Sequence, residues 1–283
     1  MSEDSEGGAG LASTGRTVAE RMEHRLAITV PDRGNPRLRR LIELVNVDDE
    51  LYGLWLAANV NAMERLGMTD HGPVHVKIVC NLAVKLMRTL AGAGVPSHVE
   101  RNYGLSAQDA EVVVALAALL HDTGMSIHRA DHEAMSLFVV QPVLRRFLAE
   151  LYDDMATATV VRSETLHAII GHRAGGRPLT IEAGVVRVAD ALDMAKGRSR
   201  IPFEAGSVSI HSVSAAAIEA IRIEEGAAKP VRIAIEMSNS AGVFQLDQLF
   251  REKLTGSGLE PYIELEANIE GETEKRLLQR FRL

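Results

Sequence analysis

His121 and Asp122 stand side by side directly after Val112–Leu120, an unbroken run of Val, Ala and Leu, and Thr123 and Gly124 follow them. The run predicts a buried helix with two ionisable groups at its C-terminal rim, stopped near Gly124. An aspartate is almost never fully buried without a partner, and a divalent cation among imidazoles is one of the few partners that offsets the cost. The plainer alternative is a half-exposed helix-end aspartate beside a hydrogen-bonded core histidine, so residues elsewhere in the chain must decide. His128, Asp131, His132 and Glu133 follow closely, His75 precedes, and His172 and Asp190 come later. Asp190 lies between Ala189 and Ala191 in an otherwise apolar stretch, an uncomfortable place for a carboxylate without a partner.

The elements that must position these residues read as helices over the first 200 residues. Arg37–Asn46 and Asp48–Leu66 carry helical periodicity, with Asp48 as N-cap and Gly67 as stop. A helix opening at Pro73 buries Val76, Val79, Leu82, Ala83, Leu86 and Leu90, and places His75 in its first turn. Ser106 with Asp109 caps the helix that ends at His121. Ala134–Leu151 reads as one helix running past Pro142. Another starts at Thr157 or Ser163 and carries His167 and His172, and Thr180 opens one that bears Asp190 and Asp193. Val18–Val30 shows no clear period. From Ile218 the pattern alternates instead: Ile218–Glu224, Val231–Met237 and Tyr262–Ile269 read as strands, with helices at Phe244–Leu254 and Glu272–Phe281. The expected organisation is a tail over residues 1–17, a helical domain over 18–201 and a small α+β module over 202–283. The fold class is therefore mainly α, a helical bundle followed by a partly antiparallel α+β module.

Composition narrows the function. With 46% hydrophobic and 24% charged residues, the 283-residue chain is an ordinary globular protein. Its net charge of −7 argues against a nucleic-acid-coating surface, so an anionic substrate must meet a local positive site or a metal. Cys80 is the single cysteine, which excludes an intramolecular disulfide or cysteine-based zinc site and suits a cytoplasmic protein. Residues 1–15 are Gly-rich and lack an apolar core segment, so they read as a disordered tail rather than a signal peptide or anchor. No membrane span is expected, and neither is a P-loop or a dinucleotide-binding loop.

In order along the chain, His75, His121-Asp122, His132, His172 and Asp190 resemble the HD superfamily of metal-dependent phosphohydrolases, over roughly residues 70–200. His75 in His75-Val76-Lys77-Ile78-Val79 is similar to the family's first ligand, although many members carry Arg where Ile78 stands. Asp190 in Val188-Ala189-Asp190-Ala191 matches its final Asp. Ala168-Ile169-Ile170-Gly171-His172-Arg173-Ala174-Gly175 resembles a run of the HD-type diadenosine tetraphosphatases, which hold two metals. The His-His-Glu and Gly-Tyr-Pro elements of the HD-GYP phosphodiesterases are absent, which argues against cyclic-dinucleotide hydrolysis.

The resemblance implies a helical-bundle metal site with His75, His121, Asp122 and Asp190 as ligands and His132 and His172 as further ones, holding one or two divalent ions. His71, His128 and His167 are expected beside the site or at the surface. A shell of imidazoles and carboxylates favours Mn or Fe over Mg, with Ni and Zn as further candidates, and Asp122 could bridge two ions. Such metals make hydroxide available near neutral pH and neutralise phosphoryl oxygens, so no Ser or Cys nucleophile is needed. Asp122, Lys77, Arg129 and Arg173 are the candidate catalytic groups. Lys196, Arg198 and Arg200 are the candidate substrate clamp, because Arg and Lys bind phosphate oxygens. The expected function is hydrolysis of a phosphoester or phosphoanhydride of a nucleotide or related small molecule. The alternative is a regulatory or ligand-binding HD protein in which the module senses a ligand or mediates self-association into a homo-oligomer.

Overall fold

Helix starts in the computed structural model coincide with side chains that can take up free backbone N–H groups. The structure describes residues 17–173, 175–194, 214–269 and 280–282. Thr17 caps α1 (Val18–Glu23), Asn35 caps α2 (Pro36–Val47) and Asp48 caps α3 (Asp49–Asn59). The helix expected to reach Leu66 changes hydrogen-bond pattern at Val60 and finishes as a π-helical turn, Val60–Arg65. Pro73 occupies the first turn of α4 (Pro73–Gly92), where its missing N–H costs nothing. Ser97 and Ser106 form capping boxes at α5 (His98–Tyr103) and α6 (Ala107–Leu120).

Two expectations fail in the middle of the chain. Ala134–Leu151 is not one helix but two, α7 (His132–Val139) and α8 (Gln141–Leu151), because Pro142 cannot donate within a continuous helix and instead sits in the first turn of the second. α9 (Met155–Gly171) starts at the Asp154 cap, ahead of both Thr157 and Ser163. Thr180 caps α10 (Ile181–Leu192) as expected.

α6 is the axis of the bundle. From Val112 on it is apolar on every side, and every residue to Leu120 is buried, against α2, α4, α5, α9 and α10. Its free C-terminal carbonyls find donors: Trp55 Nε1 donates to the Leu119 carbonyl at 2.8 Å and the Thr123 hydroxyl to the Leu120 carbonyl at 2.8 Å.

The C-terminal part carries a mixed sheet of β1 (Ile218–Glu225), β2 (Val231–Met237), β3 (Ile263–Ile269) and β4 (Arg280–Arg282), in that order. β1 and β4 pair antiparallel with their neighbours, while β2 and β3 are parallel. The parallel pair needs a crossover, which holds a π-helical turn (Gln245–Phe250) running into α11 (Arg251–Leu254). A C-terminal helix reaching Phe281 is corrected at its end, since Arg280–Arg282 is extended and hydrogen-bonds to β3. The expected tail before Thr17 and the boundary at residues 201 and 202 lie outside the described residues. Val231, Ile233, Leu246 and Phe250 join the same continuous apolar core as α4, α6 and α10. Among the described residues no helix is long and apolar enough to cross a membrane.

Candidate metal centre

Five helix ends meet at one end of α6. His75 comes from the first turn of α4, His121 and Asp122 directly follow α6, and His132 opens α7. His172 directly follows α9, and Asp190 lies in the last turn of α10. The structure brings all six together. Asp122 Oδ2 is 3.3 Å from both His75 Nε2 and His121 Nε2, and Asp122 Oδ1 is 3.2 Å from His132 Nε2 and 3.7 Å from His172 Nε2. Asp190 Oδ1 closes the first group, 3.5 Å from His75 Nε2 and 3.7 Å from His121 Nε2. Donor atoms of three sets lie within 4.8 Å of one another: His75, His121 and Asp190; His121, Asp122 and His172; His132, Glu133 and His172.

The other ring nitrogens decide which atoms are free to bind a cation. His121 Nδ1 lies 2.9 Å from the Ala118 carbonyl, His172 Nδ1 2.5 Å from the Ile169 carbonyl, and His75 Nδ1 2.6 Å from Asp193 Oδ2. These partners only accept, so each Nδ1 carries a proton and Nε2 is the nitrogen turned toward the cluster. His75 Nε2 and His121 Nε2 nevertheless face each other at 3.2 Å, inside a buried cluster that also holds two carboxylates. Converging imidazole Nε2 atoms around two carboxylates, with Asp122 buried and Asp190 largely so, fit a cation, and the imidazole–carboxylate donor set fits a transition metal.

The electrostatics of the side chains alone point the same way. Burial opposes a charge on His121, but Asp122 and Asp190 outweigh it and lift its pKa to about 9. Burial, together with His121 and Lys253, pushes His172 down to about 3. Burial favours the neutral acid at Asp122, yet His121, His132 and His75 hold it well below the usual carboxylate range. Lys253 and the same pair of histidines, His121 and His75, do this for Asp190.

Gly124 makes the second half of the cluster possible. Its place after the apolar run suggests a helix-ending role, but its φ is not positive, and what requires glycine is packing: a Cβ there would overlap the His132 carbonyl and the Ser136 N–H. The start of α7 therefore lies directly on the turn after Asp122. The Ser136 hydroxyl locks it there, donating to the His121 carbonyl at 2.6 Å and accepting the Gly124 N–H at 2.8 Å.

The candidate basic residues divide. Lys77 stands apart from the cluster: its ammonium donates to the Ala27 carbonyl at 2.9 Å, and the turn of α4 carries it away from His75. Arg173 is exposed and pairs with Asp131 at 3.4 Å, outside the imidazole cluster. Arg129 Nη1 lies 2.8 Å from His132 Nδ1, a contact that requires an unprotonated Nδ1. The Arg129 carbonyl at 3.1 Å and Glu133 Oε2 at 3.3 Å require a protonated one. Lys196, Arg198 and Arg200, and the module's His211, lie outside the described residues.

Other histidines are engaged elsewhere. His167 Nε2 accepts the Leu179 N–H at 3.0 Å, His128 Nδ1 accepts the Ala130 N–H at 3.0 Å, and His71 holds the Thr69 carbonyl with Nδ1 at 2.7 Å, its ring tilted 5.5 Å from that of His75. Three contributors escaped the sequence reading. Asp193, one turn beyond Asp190, orients His75, a role visible in the three-residue spacing. Glu133 adjoins His132 in sequence, and Lys253 reaches Asp190 from α11 with no local signal at all.

The family comparison agrees with this geometry. A family model of the HD domain matches residues 74–195, the stretch that supplies all six converging side chains. The uncharacterized protein MJ1020 of Methanocaldococcus jannaschii is 43% identical over 216 residues, covering 76% of this chain and 83% of that protein. No solved structure matches the chain. An ordered set of histidines and aspartates, folded to one point and lying within the matched stretch, thus places the chain in the HD superfamily.

Proposed function

We propose that the protein hydrolyses a phosphoester or phosphoanhydride of a nucleotide or related small molecule, using two divalent cations. His75, His121, Asp122 and Asp190 would hold one, and Asp122, His132 and His172 the other. The observation that carries this reading is the division of Asp122, with one oxygen turned to the His75–His121 pair and the other to the His132–His172 pair. Cations held there supply Lewis acidity at phosphoryl oxygens and hydroxide near neutral pH.

The chain's own groups do the rest. Asp193 and the Ala118 and Ile169 carbonyls fix three histidines in the tautomer that presents Nε2. His132 is the adjustable one. Were Nε2 to hold a cation, Nδ1 would keep the proton for the Arg129 carbonyl and Glu133, and the Arg129 guanidinium beside it would be free to bind a phosphate oxygen. Arg173, at the rim, and Lys196, Arg198 and Arg200 complete the proposed anion-binding set. The imidazole-rich shell favours Mn or Fe over Mg.

Purified protein loaded with Mn, Fe, Ni or Mg is to be assayed against nucleotides, cyclic nucleotides, dinucleoside polyphosphates and simple phosphoesters. Hydrolysis with Mn or Fe of at least one nucleotide class is expected. Full metal loading without turnover on the whole panel would favour the regulatory alternative.

A further inference from the structure

Lys253, in α11, brings an ammonium from the C-terminal part of the chain to the metal centre. Its Nζ donates to the His172 carbonyl at 2.6 Å and lies 3.3 Å from Asp190 Oδ2. Asp190 Oδ1 meanwhile faces His75 and His121 at 3.5 and 3.7 Å. The two oxygens of this carboxylate are therefore divided between an ammonium and the imidazoles. The Asp190 side chain is 18% exposed, against 6% or less for the other five converging residues, and that of Lys253 is 21% exposed. Both stand on the open side of the cluster.

The surrounding structure fixes this placement. Arg187 of α10 is buried, and its guanidinium donates to the Lys253 carbonyl at 2.8 Å and the Glu252 carbonyl at 3.1 Å. It also donates to the Arg173 carbonyl at 3.0 Å and to the Gly176 carbonyl. One buried cation thus ties α11 to the turn that follows His172. On the same helix, a Cβ at Gly184 would overlap the Ser257 carbonyl, so the turn after α11 lies directly on α10.

We propose that Lys253 is a positioning residue of the metal centre: by occupying Asp190 Oδ2 it leaves that carboxylate one oxygen for a cation and keeps the open side available to a phosphate oxygen. The proposal rests on reading the cluster as a cation centre. A carboxylate with both oxygens free can close on one ion through both, and a neighbouring ammonium also repels that ion. Lys253 therefore trades cation affinity for an open position.

The trade has a signature that a merely structural lysine would not give. In titrations of the metal-free full chain, Lys253→Met should bind Mn²⁺ about tenfold more tightly than wild type. The Mn-loaded variant should bind inorganic phosphate about fivefold or more weakly, and Lys253→Arg should recover most of both changes. Gly184→Ala, which displaces α11 without altering any charge, should shift both constants in the same directions. Unchanged or weaker Mn²⁺ binding by Lys253→Met, or a lowered Tm as its sole effect, would overturn the proposal and leave the lysine as a cap on α9. A wild-type protein that takes up no divalent cation would remove the underlying reading and this proposal with it. Wild-type uptake with indifferent variants removes this proposal alone.

Discussion

Two buried aspartates mark the two ends of α6, and their surroundings have little in common. Asp109, in the first turn, is met by donors of the protein's own making. The Ser106 hydroxyl and N–H reach Oδ2 at 2.6 and 3.0 Å, and the Tyr152 hydroxyl and Arg37 reach Oδ1 at 2.8 and 3.2 Å. The helix N-terminus adds its positive end. Asp122, past the last turn, sits at the negative end. Among the described residues, every group within ion-pair distance of its oxygens is an imidazole Nε2. A carboxylate whose needs are met by fixed donors holds a fold together, whereas one ringed by imidazole nitrogens, which can give up a proton to bind a metal, suits a cation. The contrast separates structural from functional burial on one helix without any appeal to the fold family.

The contrast breaks most visibly at Asp122. Asp122→Ala should lose both cations and lower hydrolysis by roughly a thousandfold, equivalent to about 4 kcal/mol of transition-state stabilisation. Elemental analysis alongside activity checks it, and a variant that keeps two ions per chain would end the bridging role. His132→Ala or His172→Ala should each remove one ion per chain and leave the fold intact by circular dichroism. Retention of full metal content and full activity in both would reduce the centre to a single ion.

Proton competition sharpens the comparison further. Without cations His121 has its pKa lifted to about 9, so its proton stabilises the cation-free fold fully below the ordinary histidine value of 6.5. That contribution is lost as the pH rises through about 9. Cation binding must displace the proton, so apparent Mn²⁺ affinity should climb about tenfold per pH unit from 6.5 toward 9 and then level off. His172, lowered to about 3, is already neutral there and adds no slope. An affinity that stays flat across this range would remove His121 from the ligand set.

The smallest functional effect belongs to the other end of the helix. Asp109→Ala strips a cap and leaves the Tyr152 hydroxyl without its acceptor, which should cost about 2–3 kcal/mol in chemical denaturation while metal content stays at the wild-type level. The Asp109 carboxyl is itself affected by burial, which raises its pKa. Ser106, Tyr152 and Arg37 prevail and hold it below its usual value, so its stabilising contribution is present above about 3.8 and fades as the pH falls below that. Loss of metal from this variant would show that the two ends of α6 are coupled.

Much of this was legible in the sequence, for identifiable reasons. The all-round apolar run at Val112–Leu120 leaves no solvent side, so a buried axis was the expected outcome, and Ser106, Asp48 and Thr180 announce their helices through side-chain oxygens. The six converging residues stand in one order along the chain, and helix ends are where a bundle can bring distant residues together. What was hidden depended on surfaces meeting. Lys77 sits two residues from His75, yet a rotation of about 200° along α4 sends it the other way. Lys253 is one cation among many until the α11 crossover lays it against Asp190. Pro142 divides a helix whose apolar pattern runs straight through it. Phe281 fits a helical pattern locally but is held extended by pairing with β3, a long-range bond that local periodicity does not encode.

Gly124 carries a lesson about what a list of ligands leaves out. His132 reaches the cluster only because the turn beneath α7 has no side chain, so the proposed second cation position depends on an atom that is missing. A chain with alanine at position 124 would still spell all six ligands in order and would still match the family pattern. Its α7 would have to ride outward, carrying His132 with it, and the protein would behave as a one-ion relative of itself. Counting metals from motifs alone would misjudge such a chain; the residue to inspect first is the smallest one in the motif.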